Sequence, residues 1–314
     1  MLRRTVLGSL TLSFLVALGA EALAQGKGGG GGTTPPPDPA IVFVENSSKN
    51  VLLRVMNADG TNVRTVVTGG KADSIYSPRW SPDGDQLAFA ASLGGAQGLW
   101  LVDLGGTGLH RIVTFSSGGV QDVDWSPVAT PDGSEKIVFT PYNAQTGLND
   151  VWLVNPDGSG LQWLASGLDI NSLGGICWNW NATALAASDT CDVTMMYLAP
   201  AAGGGLVVSW DTLIVFPNGA CATYPRGANT ADRIVYDPCC VTSGLGILDL
   251  GVSPPTMTLV PCAGGRSPSF SPDDTRLAYE RNFGIYTCAA DGSSDKLIRY
   301  VGNSNCRYPS WRRN

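Results

Sequence analysis

The stretch from Ser77 to Ala90, Ser-Pro-Arg-Trp-Ser-Pro-Asp-Gly-Asp-Gln-Leu-Ala-Phe-Ala, constrains the fold more than any other because its pattern returns along the chain. Pro78 biases the residue before it toward extended structure, and Trp80 closes that first strand. Ser81-Pro82-Asp83-Gly84 supplies turn residues, with Gly84 free to take positive φ, and residues 87–90 resume as a small apolar strand. The same order recurs at Asp124-Trp125-Ser126-Pro127, at Cys177-Trp178-Asn179, at Tyr224-Pro225-Arg226-Gly227, at Ser269-Phe270-Ser271-Pro272-Asp273 and at Tyr308-Pro309-Ser310-Trp311. Trp80, Trp125, Trp178, Gly227, Phe270 and Trp311 are the equivalent positions, 41 to 53 residues apart. Such a period marks propeller blades.

Each unit carries a second half. Residues 98–103, 150–155 and 285–290 alternate apolar and polar, and Asp157-Gly158 and Asp291-Gly292 then turn the chain into outer strands at 161–164 and 296–298. Four short strands per unit make one blade. At the N-terminal end, residues 41–44, 51–55 and 63–66 read as second, third and fourth strands with no first, whereas residues 308–311 read as a first strand with no successors. The expectation is therefore an all-β, six-bladed β-propeller of four-stranded antiparallel blades, closed by pairing the N- and C-terminal strands so that no long sheet edge is left open. Trp80, Trp125, Trp178, Phe270 and Trp311 are expected to pack between neighbouring blades. Gly227 breaks that series, so its blade is expected to be the loosest or to be filled by Tyr224.

The repeated Trp-Ser-Pro-Asp-Gly turn before a small apolar strand, with Asp-Gly between the third and fourth strands, resembles the WD-repeat-like propellers of the TolB family. The resemblance covers residues 41–314 and is clearest around Trp80, Trp125 and Phe270. It implies an exported, six-bladed propeller that binds protein partners of the cell envelope without catalysis. The chain departs from that pattern ahead of the propeller, where a Gly/Pro tether is read in place of a folded domain.

Residues 1–24 read as a signal peptide: Arg3 and Arg4, an apolar run, then Ala22-Leu23-Ala24 before Gln25. Residues 25–40, with glycines from Gly28 to Gly32 and prolines from Pro35 to Pro37, read as a disordered tether. A periplasmic or secreted chain is expected, with no membrane insertion once the leader is cleaved, and a monomer. The formal net charge of −6 and the scattered basic residues argue against nucleic acid as a partner. All eight cysteines follow residue 176, which in an exported chain favours disulfides, although eight cysteines allow 105 connectivities. Cys221 and Cys239 are expected near each other on the antiparallel first and second strands of one blade.

Chemistry-bearing residues are few. The one histidine, His110, precedes an expected outer strand, and no Gly-x-Ser-x-Gly elbow exists, so no catalytic residue, cofactor or metal site is assigned. Asp122 and Asp124, two apart on an expected inner strand, can face Arg79, Arg226, Arg266 or Arg307 at comparable first-strand positions. Such a mixed ring suits a peptide terminus, a sugar acid or a cation; it equally suits salt bridges between blades. The function read here is a protein- or peptide-binding scaffold module of the envelope. The alternatives are a channel-mouth lyase or hydrolase of sugars or peptides, and a carbohydrate-binding surface protein.

Overall fold

The computed structural model describes residues 39–115, 119–168, 175–188, 192–215, 222–238 and 244–313. The leader, most of the tether and Cys191, Cys221, Cys239 and Cys240 lie outside them, and so does the expected Cys221–Cys239 pairing.

The chain enters on β1 (Ile41–Asn46), β2 (Val51–Met56) and β3 (Arg64–Gly69). Blade one follows as β4 (Ser74–Trp80), β5 (Gln86–Leu93), β6 (Ala96–Asp103) and β7 (His110–Thr114), and blade two as β8 (Val120–Trp125), β9 (Ile137–Asn143), β10 (Leu148–Val154) and β11 (Gln162–Leu168). Blade three is β12 (Gly175–Trp178), β13 (Ala184–Ser188), β14 (Asp192–Pro200) and β15 (Leu206–Val215); blade four is β16 (Thr223–Gly227), β17 (Arg233–Asp237), β18 (Leu245–Asp249) and β19 (Thr256–Val260). Blade five is β20 (Arg266–Phe270), β21 (Arg276–Arg281), β22 (Gly284–Ala289) and β23 (Lys296–Arg299). The last strand, β24 (Asn305–Trp311), then pairs antiparallel with β1, giving a composite sixth sheet in the order β24-β1-β2-β3. The all-β, six-bladed expectation and its closure by the two ends hold. Closure gives β1 a partner on both sides, with Ile41 opposite Trp311 and the Arg312 N–H bonded to the Ala40 carbonyl at 2.7 Å.

The turns form for the reason read from their residues. Asp83 Oδ1 accepts from Ser81 Oγ at 2.6 Å and from the Asp85 N–H at 3.0 Å, while Gly84 takes φ 77°. Asp157 and Asp291 bind the N–H two residues on in the same way, at 2.9 and 2.8 Å.

Among the described residues the buried apolar side chains collect into six clusters, each shared by two neighbouring blades. Trp80 packs with Leu87 and Phe89 of its own blade against Val42, Val44 and Leu53 of the composite blade, and its indole N–H donates to the Ser310 carbonyl at 3.0 Å. Trp125 lies with Ala88 and Leu99 of blade one, Trp178 with Val138 and Leu153 of blade two, Phe270 with Val235 and Leu245 of blade four, and Trp311 with Ala278 and Ile285 of blade five. A blade is thus held by the face it shows its neighbour, so stability passes around the ring.

Gly227 corrects an expectation. Tyr224 does not fill the place of the absent aromatic; β16 instead approaches β12 so closely that a Cβ on Gly227 would sit 2.0 Å from the Trp178 carbonyl oxygen. Only glycine fits there. Gly227→Ala is expected to lower stability by about 1–3 kcal/mol, because the backbone must shift to admit one methyl group. A chemical-denaturation midpoint equal to the parent's would contradict the close approach.

Cys262, just past β19 of blade four, and Cys288, on β22 of blade five, form a disulfide across the blade boundary. Cys177 and Cys306 are buried free thiols.

Candidate functional site

The innermost strands do not run straight. Their ladders slip between Tyr76 and Arg79 on β4, between Thr223 and Arg226 on β16, and between Arg266 and Ser269 on β20, and the pairing of β24 slips opposite Val42–Val44. At each slip the residue before a proline turns left-handed: Ser77 at φ 46°, Tyr224 at 50°, Ser267 at 48° and Tyr308 at 54°. A bulge of this kind re-aims the side chains beside it. Serine tolerates the conformation better than a bulky residue does; holding tyrosine there costs about 1–2 kcal/mol at each position.

Those two tyrosines meet at one mouth of the channel. The Tyr308 ring lies 6.2 Å from Tyr76, edge-on, and 6.3 Å from Tyr224, so the composite blade, blade one and blade four each supply one ring. The three line a cavity of about 540 Å³ that also takes in Ser74, Gln97 and Gln121. Tyr76 is 41% exposed. Burial pushes the Tyr308 hydroxyl up to about 12 and raises Tyr224 as well, so both remain neutral donors at physiological pH.

Further along the same strands is a buried charge cluster. The Asp122 carboxylate of blade two receives both Nη atoms of Arg226 from blade four, at 2.8 and 2.9 Å, plus the Val123 N–H at 2.9 Å and the Ile176 N–H of blade three at 3.0 Å. Arg79 of blade one lies 3.6 Å from Asp122 and 3.7 Å from Asp124. Asp124 accepts the Trp178 N–H at 2.8 Å, and Arg313 reaches it at 3.3 Å from beyond β24. Burial pushes Asp122 up to about 6 while Arg79 pulls it down, and with Arg226 also paired to it the carboxyl stays ionised at neutral pH. Asp122, Asp124, Arg79 and Arg226 are all under a tenth exposed and are bonded to one another across blades.

Arg266 and Arg307 stand apart from that cluster. Both are exposed at the mouth and line a recess of about 350 Å³ with Glu280, Phe283 and Cys306. Glu280 accepts the Tyr308 N–H at 3.0 Å. Burial raises Glu280, and raises Asp237 to about 6 against the pull of Arg266. His110 lies exposed on outer strand β7 with Nδ1 2.6 Å from the Gly108 carbonyl. Among the described residues no group of three or more His, Cys, Asp and Glu converges as metal ligands.

These titrations set a stability profile. Asp237 and Asp122, raised to about 6, and Glu280, also raised by burial, have folded pKa values above their unfolded ones, so their contribution is fully present below the unfolded value and is lost as pH rises through the folded one. Asp132, lowered to about 2 by Ser134 and Thr130, and Asp83 and Asp273, lowered by their serines, act oppositely and lose theirs below 3.8. The thermal midpoint is expected to rise from about pH 7 to about pH 5 and to fall below about pH 3.5. A midpoint that falls steadily from about pH 7 downward would contradict the assignment.

The residue spacing named the buried cluster and Arg266 and Arg307 but missed the tyrosines, Glu280, Asp237 and Arg313. The available signal was the Tyr-Pro pair, present at 224–225 and 308–309, with Tyr76 two residues before Pro78.

Solved structures match the fold. TolB from Acinetobacter baumannii superposes with a TM-score of 0.66 at 19% identity, covering 88% of this chain and 68% of that one. A putative TolB from Agrobacterium tumefaciens superposes at 0.60 with 12% identity, covering 87% and 98%. The fold is that of the TolB-like six-bladed propellers. In sequence, the Tol-Pal system protein TolB of Syntrophus aciditrophicus is 35% identical over 82 residues, which is 25% of this chain and 18% of that protein. The chain thus matches less than a fifth of that TolB-like relative's length. No family model matches the chain.

Proposed function

We propose that the chain is a non-catalytic binding module of the cell envelope, periplasmic or secreted, that holds a protein or peptide partner at the tyrosine-lined mouth. One observation carries the reading: Tyr224 and Tyr308 are kept in a left-handed conformation that costs stability, and they meet Tyr76 around an open cavity of about 540 Å³. Tyrosine offers a large, rigid, amphipathic face with few rotamers to freeze, the property that concentrates it at interface centres. Gln97, Gln121 and Ser74 add donors and acceptors at the same rim, suited to a partner's backbone. The TolB-like fold supports the class of function without supplying the partner.

The test is capture from envelope extract by the mature chain, residues 25–314. Tyr76→Ala/Tyr308→Ala is expected to lose the captured partner, whereas Trp163→Ala, on an outer strand and 50% exposed, keeps it. Near-UV circular dichroism of each variant checks that the propeller is intact. Capture indifferent to the tyrosine pair contradicts the proposal.

A further inference from the structure

We propose that Arg266 and Arg307 make this mouth a carboxylate reader: a peptide lying over the tyrosines is fixed by one of its carboxylates between the two guanidiniums. The inference rests on the peptide-binding reading above and adds the group that is recognised.

The placement comes from adjacent inner strands. Arg266 opens β20 and Arg307 lies near the start of β24, and both line the recess of about 350 Å³ walled by Phe283 and Cys306. Arg307 also lines a recess of about 300 Å³ together with Ser74 and Tyr76, which in turn border the tyrosine cavity, and it directly precedes Tyr308 in the chain. Guanidiniums and aromatic rings therefore share one continuous mouth.

The nearby arginines are otherwise engaged. Arg281 is 2.8 Å from Asp295 and lies over the Tyr286 ring at 3.9 Å, while Arg79 and Arg226 are held by Asp122. Arg266 and Arg307 feel Asp237 and Glu280 only at longer range among the described residues, and one Glu280 oxygen is already taken by the Tyr308 N–H. A guanidinium presents a planar fork of donors that matches a carboxylate, so two exposed forks beside an aromatic floor form a site with donors to spare. In a chain of net charge −6 this local reversal of sign also steers an anion to one place.

Titration adds a signature. As Asp237 and Glu280 take up protons, the mouth becomes more positive, so carboxylate binding tightens from about pH 7 to about pH 5. The other groups facing these two acids are Tyr224, Tyr308 and Cys306, which stay neutral, with Cys306 raised to about 11 by burial, together with Arg266, Arg307 and the Arg281–Asp295 ion pair.

The experiment presents the whole mature chain with random short-peptide libraries that are identical except for the C-terminus, free acid or carboxamide, each made with and without Asp and Glu. Enrichment from the free-acid or the Asp/Glu-containing libraries is expected, and the enriched peptides should bind Arg266→Gln/Arg307→Gln at least about tenfold more weakly. Enrichment from the free-acid library lacking Asp and Glu identifies a chain terminus as the carboxylate; enrichment confined to Asp/Glu-containing libraries identifies a side chain. Carboxamide peptides without Asp or Glu that bind as tightly, with no sensitivity to the arginines, overturn the carboxylate reader and leave the peptide-binding mouth standing. If no library binds, both fall.

Discussion

Asp122→Ala is expected to cost about 3–5 kcal/mol of stability. The carboxylate is 1% exposed, and the arginines it neutralises, Arg79 and Arg226, are 4% and 7% exposed. Removing it leaves two buried positive charges, and it deprives the Ile176 N–H of its acceptor at the joint between blades two and three. The geometry raises the cost further because Arg226 reaches over blade three to meet a residue 104 positions earlier, so one carboxylate spans three blades. Asp122→Ala/Arg226→Leu should recover part of the loss, since the double change removes one of the stranded charges along with its partner. Urea midpoints at constant slope provide the comparison. A single variant as stable as the parent would mean that the cluster does not tie the ring.

Deleting β24 together with the residues after it, 305–314, is expected to abolish cooperative unfolding altogether. The deletion exposes the full edge of β1, removes Trp311 from the cluster it shares with Ala278 and Ile285, takes away the Ser310 carbonyl that receives the Trp80 indole, and releases Arg313 from Asp124. Losing one buried tryptophan costs about 3–5 kcal/mol, and a typical domain has only about 5–15 kcal/mol in total, so the summed loss exceeds what a propeller of this size holds in reserve. Circular dichroism melting and dye binding to exposed apolar surface report the outcome. Arg313→Ala separates the parts: it should lower the midpoint modestly while leaving a cooperative transition. A cooperative transition at the parent temperature after the deletion would show that closure by the chain ends is dispensable.

Blade count, turn chemistry and the composite blade were legible because they rest on local patterns repeated at a fixed period. Asp83-Gly84 and Asp291-Gly292 carry their turns by themselves, and residues 308–311 announce an inner strand whose partners stand at the other end of the chain. What escaped the pattern depends on register and on distance. A bulge before each of Pro78, Pro225, Pro268 and Pro309 shifts the ladder, so strict alternation does not say which side chain enters the channel, and the spacing leaves open whether the Gly227 blade is loose or filled by Tyr224, where Gly227 itself makes the close approach. The pairing of Asp122 with Arg226 in preference to Arg266 or Arg307 is decided by how three blades stack, which no local window contains. The Cys262–Cys288 pairing across blades four and five is of the same kind. The pH response escaped too, since Asp237 and Glu280 acquire it from burial at the mouth rather than from neighbours in sequence.

The most direct test of the proposed binding is hydrogen exchange of residues 25–314 with and without a partner captured as proposed above. The tyrosine mouth predicts new protection at the starts of β4, β16 and β24, around Tyr76, Tyr224 and Tyr308, with the outer strands β7, β11 and β19 unchanged. Protection confined to those outer strands, or to the Asp-Gly turns at the far ends of the blades, would place the partner elsewhere and contradict the assignment of the mouth.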